Sequence, residues 1–283
     1  MKVAIQGELG SNSHMAALAM LQDVAAQGAG LEIDACATSA EVFERVVSGA
    51  VDGAVLPIEN SLHGSVAEHY DLLLAEPVRI ARESLLRVRH NLIARPGVKL
   101  TDVRRAMSHP VALSQCRRWF AAHPEIEAVN FYDTAGSVKQ VMEQMDAGVA
   151  GIASTQAAVE FGGEILRANI EDNPENFTRF HVVRRAVDRG KSWQVDAAAD
   201  KISLAFAIEN KPGTLVTALE KLARIGADLT KIESRPVPGR PWEYIFYVDV
   251  RYEQPAVAEQ ALAALQAHCP MVKELGRYRA AWR

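Results

Sequence analysis

Four clusters of polar side chains follow apolar segments of this sequence, and their residue types limit the chemistry open to them. Most members are hydroxyls and amides, accompanied by one arginine. Such groups bind and orient carboxylates and assist a departing hydroxyl without a metal ion or a strong base. They suit elimination from an already activated, polyanionic small molecule. The clusters are Glu59-Asn60-Ser61, Ser108-His109 with Gln115, Asp133-Thr134, and Asn169 to Arg179.

The last cluster leads directly into a segment with high β propensity. Its polar run is closed by Pro174, which fits poorly inside a helix or a strand, and Phe180 to Val183 follows. Thr178 and Arg179 therefore lie at the mouth of a strand, and α/β folds bind ligands at strand ends. The alternative interpretation is a surface turn with an Asx cap, which most Asn/Asp-Pro segments form.

Sequence signatures of metal, nucleotide and Ser/His hydrolase sites are missing. The histidines form no HxH or HExxH pair, and no pair of cysteines accompanies them. Gly7 and Gly10 lack the spacing and the lysine of a phosphate-binding loop, and no GxSxG motif occurs. We therefore expect neither a metal ion nor a cofactor.

The composition matches a soluble globular protein, with 49% hydrophobic and 23% charged residues. A net charge of −4 and a pI near 6.1 give no basis for nucleic-acid binding. Cys36, Cys116 and Cys269 are far apart and without CxxC spacing, which indicates reduced thiols. Neither a signal-peptide core nor the ~20 apolar residues of a membrane span occurs, so we expect a cytoplasmic protein without membrane or nucleic-acid partners.

The order of apolar and polar segments predicts two α/β lobes with a cleft between them. Strands at 3–5, 31–35 and 53–56 alternate with helices, and Thr38-Ser-Ala-Glu41 has capping-box spacing before a helix over 42–48. A long β-like passage over 78–95 leads into a second set with the same alternation, which is typical of parallel sheets. In the second set we predict helices over 111–122 and 154–161 and strands over 127–132 and 149–153.

The remainder of the chain predicts a separate, smaller module. Periodicity is lost between 184 and 200, which we interpret as a linker. The segments beyond it follow the order strand, helix, strand, strand, helix, strand of a ferredoxin-like split βαβ module. Strands are predicted over 201–209, 228–235, 242–251 and 271–277, and helices over 212–225 and 255–268, the first with Pro212 in its opening turn.

Together, the polar motifs resemble those of the prephenate dehydratase family, in that family's order and spacing. The C-terminal module resembles an ACT domain of the phenylalanine-binding kind, with Asn210-Lys-Pro-Gly213 and Glu233-Ser-Arg-Pro236. Each motif alone is weak, but the ordered set is specific and covers nearly the whole chain. The other motifs are Pro57-Ile-Glu-Asn-Ser61, Ser108-His-Pro110 with Gln115-Cys116, Asp133-Thr-Ala-Gly136, and Asn169-Ile-Glu-Asp-Asn-Pro174 closing in Thr178-Arg-Phe180.

The resemblance implies an α/β fold with a two-lobed, periplasmic-binding-protein-like (type II) catalytic domain and a ferredoxin-like βαββαβ ACT domain. The catalytic domain is expected to cover residues 1–186, with lobe one at about 1–78 plus 178–186 and lobe two at about 79–177. Residues 187–199 are the expected linker, and residues 200–283 the regulatory domain.

In such enzymes prephenate loses its ring carboxylate as CO2 and its ring hydroxyl as water, which gives phenylpyruvate for phenylalanine biosynthesis. By this resemblance Thr178 is the catalytic residue, donating a proton or hydrogen bond to the departing hydroxyl in a closed cleft. Arg179 would pair with a substrate carboxylate, although an ion pair bridging the lobes is an equal alternative. We interpret His109 as structural. The residues expected to bind substrate are Asn60, Ser61, Ser108, Gln115, Thr134, Arg179 and Phe180.

The ACT resemblance implies feedback by L-phenylalanine bound between modules of two subunits, in a homodimer or a homotetramer. Thr214 adds a hydroxyl where an apolar methyl is usual in that family. The expected phenylalanine-binding residues are Asn210, Gly213, Thr214, Leu215, Val216, Glu233, Ser234, Arg235 and Pro236.

Two alternative functions stay open. Arogenate dehydratases use the same groups on an amino-bearing substrate, and a non-catalytic sensor could bind an aromatic acid in the cleft and an amino acid in the ACT module. Because no helical segment precedes Met1, we expect a monofunctional enzyme without a chorismate mutase domain.

Overall fold

The structure is a computed structural model that describes residues 1–26, 30–144, 146–187, 198–237 and 243–281. The chain divides into two compact units, Met1–Val66 with Leu85–Phe180 and Ala67–Ser84 with His181–Arg283. Residues 188–197 of the predicted linker lie outside the described residues, and the predicted domain boundaries stay a prediction. Within the described ranges, no helix is both long and apolar enough to cross a membrane.

The described residues form the following strands and helices. Up to residue 187 they are β1 (Lys2–Gln6), α1 (Asn12–Met20), α2 (Gln22–Ala26), β2 (Glu32–Cys36), α3 (Ser39–Ser48), β3 (Gly53–Asn60), β4 (Gly64–Ser65), α4 (Ala67–Ala75), β5 (Val78–Arg87), β6 (Asn91–Ala94), a 3₁₀ turn (Leu100–Asp102), β7 (Arg105–Ser108), α5 (Pro110–Ser114), α6 (Arg117–Ala122), β8 (Glu127–Asn130), α7 (Thr134–Gln144), β9 (Val149–Ala153), α8 (Thr155–Phe161), β10 (Glu164–Arg167) and β11 (Phe177–Arg185). From residue 198 they are β12 (Lys201–Ala207), α9 (Thr214–Arg224), β13 (Asp228–Pro236), β14 (Tyr244–Arg251), α10 (Pro255–Gln266) and β15 (Met271–Tyr278).

Lobe one of the first unit is a sheet with β1 at its centre, packed against α1 and α3. β1 pairs in parallel with β2 and β3, and the strand order is β2-β1-β3-β11. The middle residues of β1 and β3 are apolar and fully buried, as expected of strands covered on both faces. Because these strands are parallel, the polar loops that follow them meet at one edge of the sheet.

Lobe two repeats this arrangement with β7 at its centre. β7 pairs in parallel with β8 and β9, and the order is β10-β6-β9-β7-β8. In lobe one, β1 lies between β2 and β3, and β11 lies beside β3. In lobe two, β7 lies in the same way between β8 and β9, and β6 lies beside β9. The two-lobed, type II periplasmic-binding-protein-like architecture implied by the resemblance is confirmed.

The helix predicted over 111–122 is wrong as a single element, because α5 and α6 are separated at Gln115 and Cys116. The Asp172 carboxylate accepts the backbone N–H groups of Arg117 at 3.0 Å and Arg118 at 2.9 Å. This carboxylate satisfies donors that a helix start leaves open, so a new helix begins there. The capping residue comes from the distant polar loop, which a local sequence pattern cannot reveal.

The C-terminal elements form the predicted ferredoxin-like module. The order β13-β14-β12-β15 combines with α9 and α10, which pack on a core that includes Leu204, Leu222 and Val248. The first helix begins at Thr214 rather than at Pro212, because Gly213 adopts a φ of 85° that interrupts helical geometry.

Candidate active site

A cavity of about 700 Å³ lies between the two lobes of the first unit. A volume of this size suits a small-molecule ligand. Lobe one contributes the loop after β1, the end of β2 and parts of β3 and β11, and lobe two contributes residues before α5 and at the start of α7. The lining residues are Gln6, Gly7, Glu8, Ser11, Asn12, Ser13, Ala35, Cys36, Ala37, Pro57, His109, Tyr132, Asp133, Thr134, Thr178 and Phe180.

The hydroxyl of Thr178 accepts a hydrogen bond from the protein, and the donor can be assigned. Asn60 Oδ1 accepts the backbone N–H groups of Leu62 at 3.0 Å and His63 at 3.1 Å, which identifies the other amide atom as nitrogen. Asn60 Nδ2 then donates to Thr178 Oγ1 at 3.0 Å. Since the threonine oxygen accepts, its own proton is available to a ligand in the cavity.

Asn60 belongs to a longer chain of side-chain hydrogen bonds. It also donates to Asn176 Oδ1 at 2.8 Å, and Asn176 donates to Gln115 Oε1 at 3.0 Å. His90 Nε2 lies 2.6 Å from the same Gln115 oxygen, so this nitrogen carries the proton. Burial lowers the pKa of His90, which keeps the ring neutral. The sequence analysis missed Asn176 and His90; Asn176 lies inside the polar run that was singled out.

Ser61 and Ser108 lie outside the cavity lining. Ser61 Oγ donates to the Glu175 carbonyl at 3.1 Å and accepts the Phe177 N–H at 3.0 Å, so it holds the chain that enters β11. Ser108 is fully buried and donates to the Ile152 carbonyl at 2.6 Å. Their roles in substrate binding stay predictions, and these contacts favour support of the surrounding backbone.

The residues around Thr178 on β11 face in two directions. Thr178 and Phe180 line the cavity, as alternation along a strand requires for positions two apart. Arg179 is 3% exposed and outside the lining, and its Nη2 forms an ion pair with Glu59 Oε2 at 3.0 Å. Contact of Arg179 with a substrate carboxylate stays a prediction that this burial does not favour.

Two helices begin at the cavity and make it attractive to anions. α1 starts after Ser11, whose Oγ accepts the His14 N–H at 3.3 Å, and α7 starts at Thr134, which lines the cavity. First-turn N–H groups and the helix dipole favour carboxylates at such ends, and at α7 the Asp133 carboxylate already accepts the Gly136 N–H. In the described ranges, no group of three or more His, Cys, Asp or Glu side chains could hold a metal ion.

Two acidic side chains and a histidine also line the cavity. Asp133 Oδ1 accepts the Gly136 N–H at 2.8 Å, and burial raises the pKa of this carboxyl group. Tyr132 donates to Glu8 Oε1 at 2.9 Å. Partial desolvation of its hydroxyl group, followed by this hydrogen bond, raises the pKa of Tyr132 to about 12, although most of the side chain is exposed. His109 caps α5 by accepting the N–H of Val111, which fits the structural role predicted for it, although it reaches the cavity.

The residues predicted to bind phenylalanine lie in two elements of the second unit. Asn210 to Val216 form the turn into α9, where Thr214 Oγ1 donates to the carbonyl oxygens of Glu209 and Lys211. Glu233 to Pro236 end β13, and Arg235 pairs with both oxygens of Asp71 on α4 at 2.9 and 2.7 Å. Thr214 and Glu209 also line a separate cavity of about 430 Å³.

Comparison with known proteins gives one consistent family. Residues 3–188 match the family model described as prephenate dehydratase. The chain is 37% identical to "Arogenate dehydratase/prephenate dehydratase 2, chloroplastic" of Arabidopsis thaliana, over 98% of this chain and 72% of that protein.

Two solved structures are also similar over almost the whole chain. One is a prephenate dehydratase from Arthrobacter aurescens in complex with L-Phe, with 32% identity, a TM-score of 0.86, and coverage of 99% of this chain and 90% of that one. The other is described as GqqA, a novel type of quorum quenching acylases, with 33% identity, a TM-score of 0.86, and coverage of 99% and 98%. With a matching family model and a relative of this similarity, the chain belongs to the prephenate dehydratase family.

Proposed function

We propose that this protein converts prephenate into phenylpyruvate, CO2 and water. The observation that carries the proposal is the Thr178 hydroxyl, which faces the interlobe cavity and accepts its hydrogen bond from Asn60. A hydroxyl fixed in this sense can donate to a departing oxygen without first breaking a bond to the protein.

The reaction needs positioning more than it needs a strong acid. The bond to the ring carboxylate breaks to release CO2, and its electron pair enters the ring as the C–O bond to the hydroxyl breaks. The leaving hydroxide takes up one proton and departs as water, and aromatisation supplies much of the driving force. Thr178 stabilises the leaving oxygen by a preorganised hydrogen bond, while the N-terminus of α1 attracts a substrate carboxylate.

Replacement of Thr178 tests this assignment. Thr178→Val keeps the shape of the side chain but removes the donor, and should lower kcat by about 10²–10³-fold, as loss of one transition-state donor does. Thr178→Ser keeps the hydroxyl and should retain most of the activity. Thr101→Val, at an exposed threonine of the same unit, serves as the matched control. Phenylpyruvate is measured by absorbance, and wild-type protein that binds prephenate without forming product would instead support the sensor function.

Arogenate is the second candidate substrate, because Asp133 places a carboxyl group in the cavity. A carboxylate there would pair with the ammonium group that arogenate carries and prephenate lacks. Parallel measurement of kcat/KM for the two substrates decides between them. Higher turnover of arogenate would overturn the assignment to prephenate, and Asp133→Asn, which can still cap α7, should weaken arogenate selectively.

We also propose that the C-terminal module is an ACT domain through which L-phenylalanine inhibits the enzyme. The fold of the module and the L-Phe complex of the Arthrobacter relative support this. β13 is an edge strand with Ile232 exposed, which favours pairing with a second copy in a homo-oligomer. Val216 is exposed in the predicted site, so Val216→Asp should weaken inhibition and leave basal activity intact. Unchanged inhibition in this variant would argue against the proposed site.

The proposed location is the cytoplasm. Cys36, Cys116 and Cys269 are all free and buried. Reduced thiols of this kind are expected in a reducing compartment, which supports the proposal.

A further inference from the structure

Two of the contacts between the lobes of the first unit differ in character. One contact is buried: Ser154 Oγ donates to the Gly10 carbonyl at 2.6 Å. A Cβ added to Gly10 would lie 2.7 Å from Ala157 Cα, so the loop after β1 packs tightly against α8. A contact with no room for a side chain and no access to water is suited to act as a fixed pivot.

The other contact lies at the exposed side of the cavity and consists of polar groups. Glu8, in the loop after β1, accepts the Tyr132 hydroxyl at Oε1, at 2.9 Å. Its second oxygen, Oε2, lies 3.6 Å from Lys139 Nζ on α7. One carboxylate of lobe one therefore holds two groups of lobe two. Tyr132 is 66% exposed, so this contact can open to water, unlike the one at Gly10.

Gly136 allows Tyr132 to reach across the cleft. A Cβ added to Gly136 would lie 2.8 Å from the Tyr132 hydroxyl oxygen and 3.0 Å from the adjacent ring carbon. The tyrosine thus lies directly over the first turn of α7. Gly136 and Lys139 are three positions apart on this helix and share a face, so both lobe-two groups are directed towards Glu8.

We propose that Glu8 is a positioning residue that latches the lobes closed over the cavity through Tyr132 and Lys139. For its effect on turnover, this inference rests on the proposed function. An unpaired Glu8 carboxylate would repel a substrate that carries two carboxylates. In the closed form Lys139 offsets this charge and Tyr132 satisfies the oxygen that faces it, so closure and anion binding favour each other.

Closure is measured as a distance between the lobes, without substrate or turnover. Ala19 on α1 and Ala121 on α6 are exposed, and the three native cysteines are buried. Ala19→Cys combined with Ala121→Cys therefore gives one spin label in each lobe for pulsed electron paramagnetic resonance. We expect Tyr132→Phe to shift the distance distribution towards a longer, broader form. An unchanged distribution would overturn the latch.

Kinetics then connect the latch to catalysis. Tyr132→Phe loses a hydrogen bond to a charged group, and kcat/KM should fall by about tenfold. Glu8→Gln keeps an acceptor for Tyr132 but loses the attraction to Lys139, so a smaller, salt-sensitive decrease is expected. Tyr244→Phe removes the hydroxyl of an exposed tyrosine elsewhere and should leave both distance and activity unchanged.

Gly136→Ala tests whether Tyr132 controls closure of the lobes or only supports the stability of the fold. Alanine favours helix formation over glycine, so helix α7 should not be weakened. The added methyl group must displace Tyr132, and the latch then predicts an opened distance distribution in a protein of undiminished thermal stability. A stable variant that remains closed would overturn the proposal. Wild-type protein that forms no phenylpyruvate would refute the proposed function and leave the distance measurements valid.

Discussion

Thr178 on β11 and Thr214 at the start of α9 use the same hydroxyl group in opposite senses. The Thr178 oxygen accepts from Asn60 Nδ2 at 3.0 Å, and it forms no other hydrogen bond with the described residues. The Thr214 hydroxyl donates to the carbonyl oxygens of Glu209 and Lys211, each at 2.8 Å. Because a hydroxyl has one proton, Thr178 keeps its proton for a ligand, whereas Thr214 uses its proton within its own loop.

The difference shows that the hydrogen-bond partner, rather than the residue type, decides whether a threonine hydroxyl proton is available to a ligand. Asn60 presents a donor because backbone N–H groups already occupy its oxygen. The loop before α9 presents acceptors, so its threonine closes a turn. The hydroxyl at Thr214 therefore contributes to the local structure of the loop, which explains how a polar group is accommodated at this position.

The largest expected effect comes from reversing the hydrogen bond at Thr178. Asn60→Asp keeps the size of the side chain and an oxygen for the N–H groups of Leu62 and His63, but offers Thr178 an acceptor instead of a donor. The threonine proton is then drawn to the introduced carboxylate, as that of Thr214 is to its carbonyls. Turnover of prephenate should fall by about 10²-fold or more, measured as phenylpyruvate formation.

A second substitution checks that a change in net charge away from Thr178 does not cause this loss. Asn130→Asp introduces the same charge at an exposed asparagine that ends β8. Near-normal activity is expected there, and thermal unfolding should show both variants folded. If Asn60→Asp remained fully active, the proposed role of the Thr178 proton would be untenable.

The sequence was sufficient to predict the lobes, the module order and the position of Thr178 at a strand end. Alternating strands and helices fix those features locally. The hydrogen-bonding sense of Thr178 could not be predicted, because it depends on Asn60, 118 positions away, and on backbone donors that orient it. His90 was missed because it follows β5 without a motif and its ring joins the hydrogen-bond chain through Gln115.

The division of α5 from α6 and the contact across the cavity were missed for a similar reason. Asp172 caps α6 from a distant loop, and Glu8 meets Tyr132 from the opposite lobe, 124 positions away. Neither pair has a periodic or spaced signal in the sequence. Both arise only once the lobes have assembled, whereas caps such as Thr38 with Glu41, three positions apart, can be read locally.

An effect of intermediate size, on the pH dependence of stability, is expected at His90. This residue lies at the far end of the hydrogen-bond chain that begins at Thr178. Burial lowers the pKa of His90 below 6.5, so the folded state binds a proton more weakly than the unfolded chain does. The contribution of neutral His90 to the free energy of unfolding is therefore complete above about pH 6.5. As the pH falls towards the folded-state pKa, this free energy decreases by up to about 1.4 kcal/mol per pH unit. His90→Gln supplies an N–H donor that does not titrate and should flatten this slope in urea unfolding between pH 7.5 and 5.5.

His14 also contributes to the loss of stability in acid that this measurement detects. His14 is also buried, with its pKa lowered by burial, so some acid sensitivity should remain in His90→Gln. Nε2 of His90 donates to Gln115, and the glutamine amide can replace that bond, so activity at pH 7.5 should be largely retained. An identical slope in wild type and variant would mean that His90 does not control acid stability.

The smallest effect is expected at Thr214. Thr214→Ala removes the hydroxyl that bonds to Glu209 and Lys211 and should lower the free energy of unfolding by about 0.5–1.5 kcal/mol, because two exposed carbonyls can turn to water instead. Thr217→Ala is the matched control, since its hydroxyl bonds to the Gly213 carbonyl that already accepts the Thr217 N–H. Thr217→Ala should leave the free energy of unfolding unchanged or raise it slightly, because alanine favours a helix more than threonine does. Basal turnover should be unchanged in both, and a loss of turnover in Thr214→Ala as large as that in Thr178→Val would erase the distinction between the two hydroxyls.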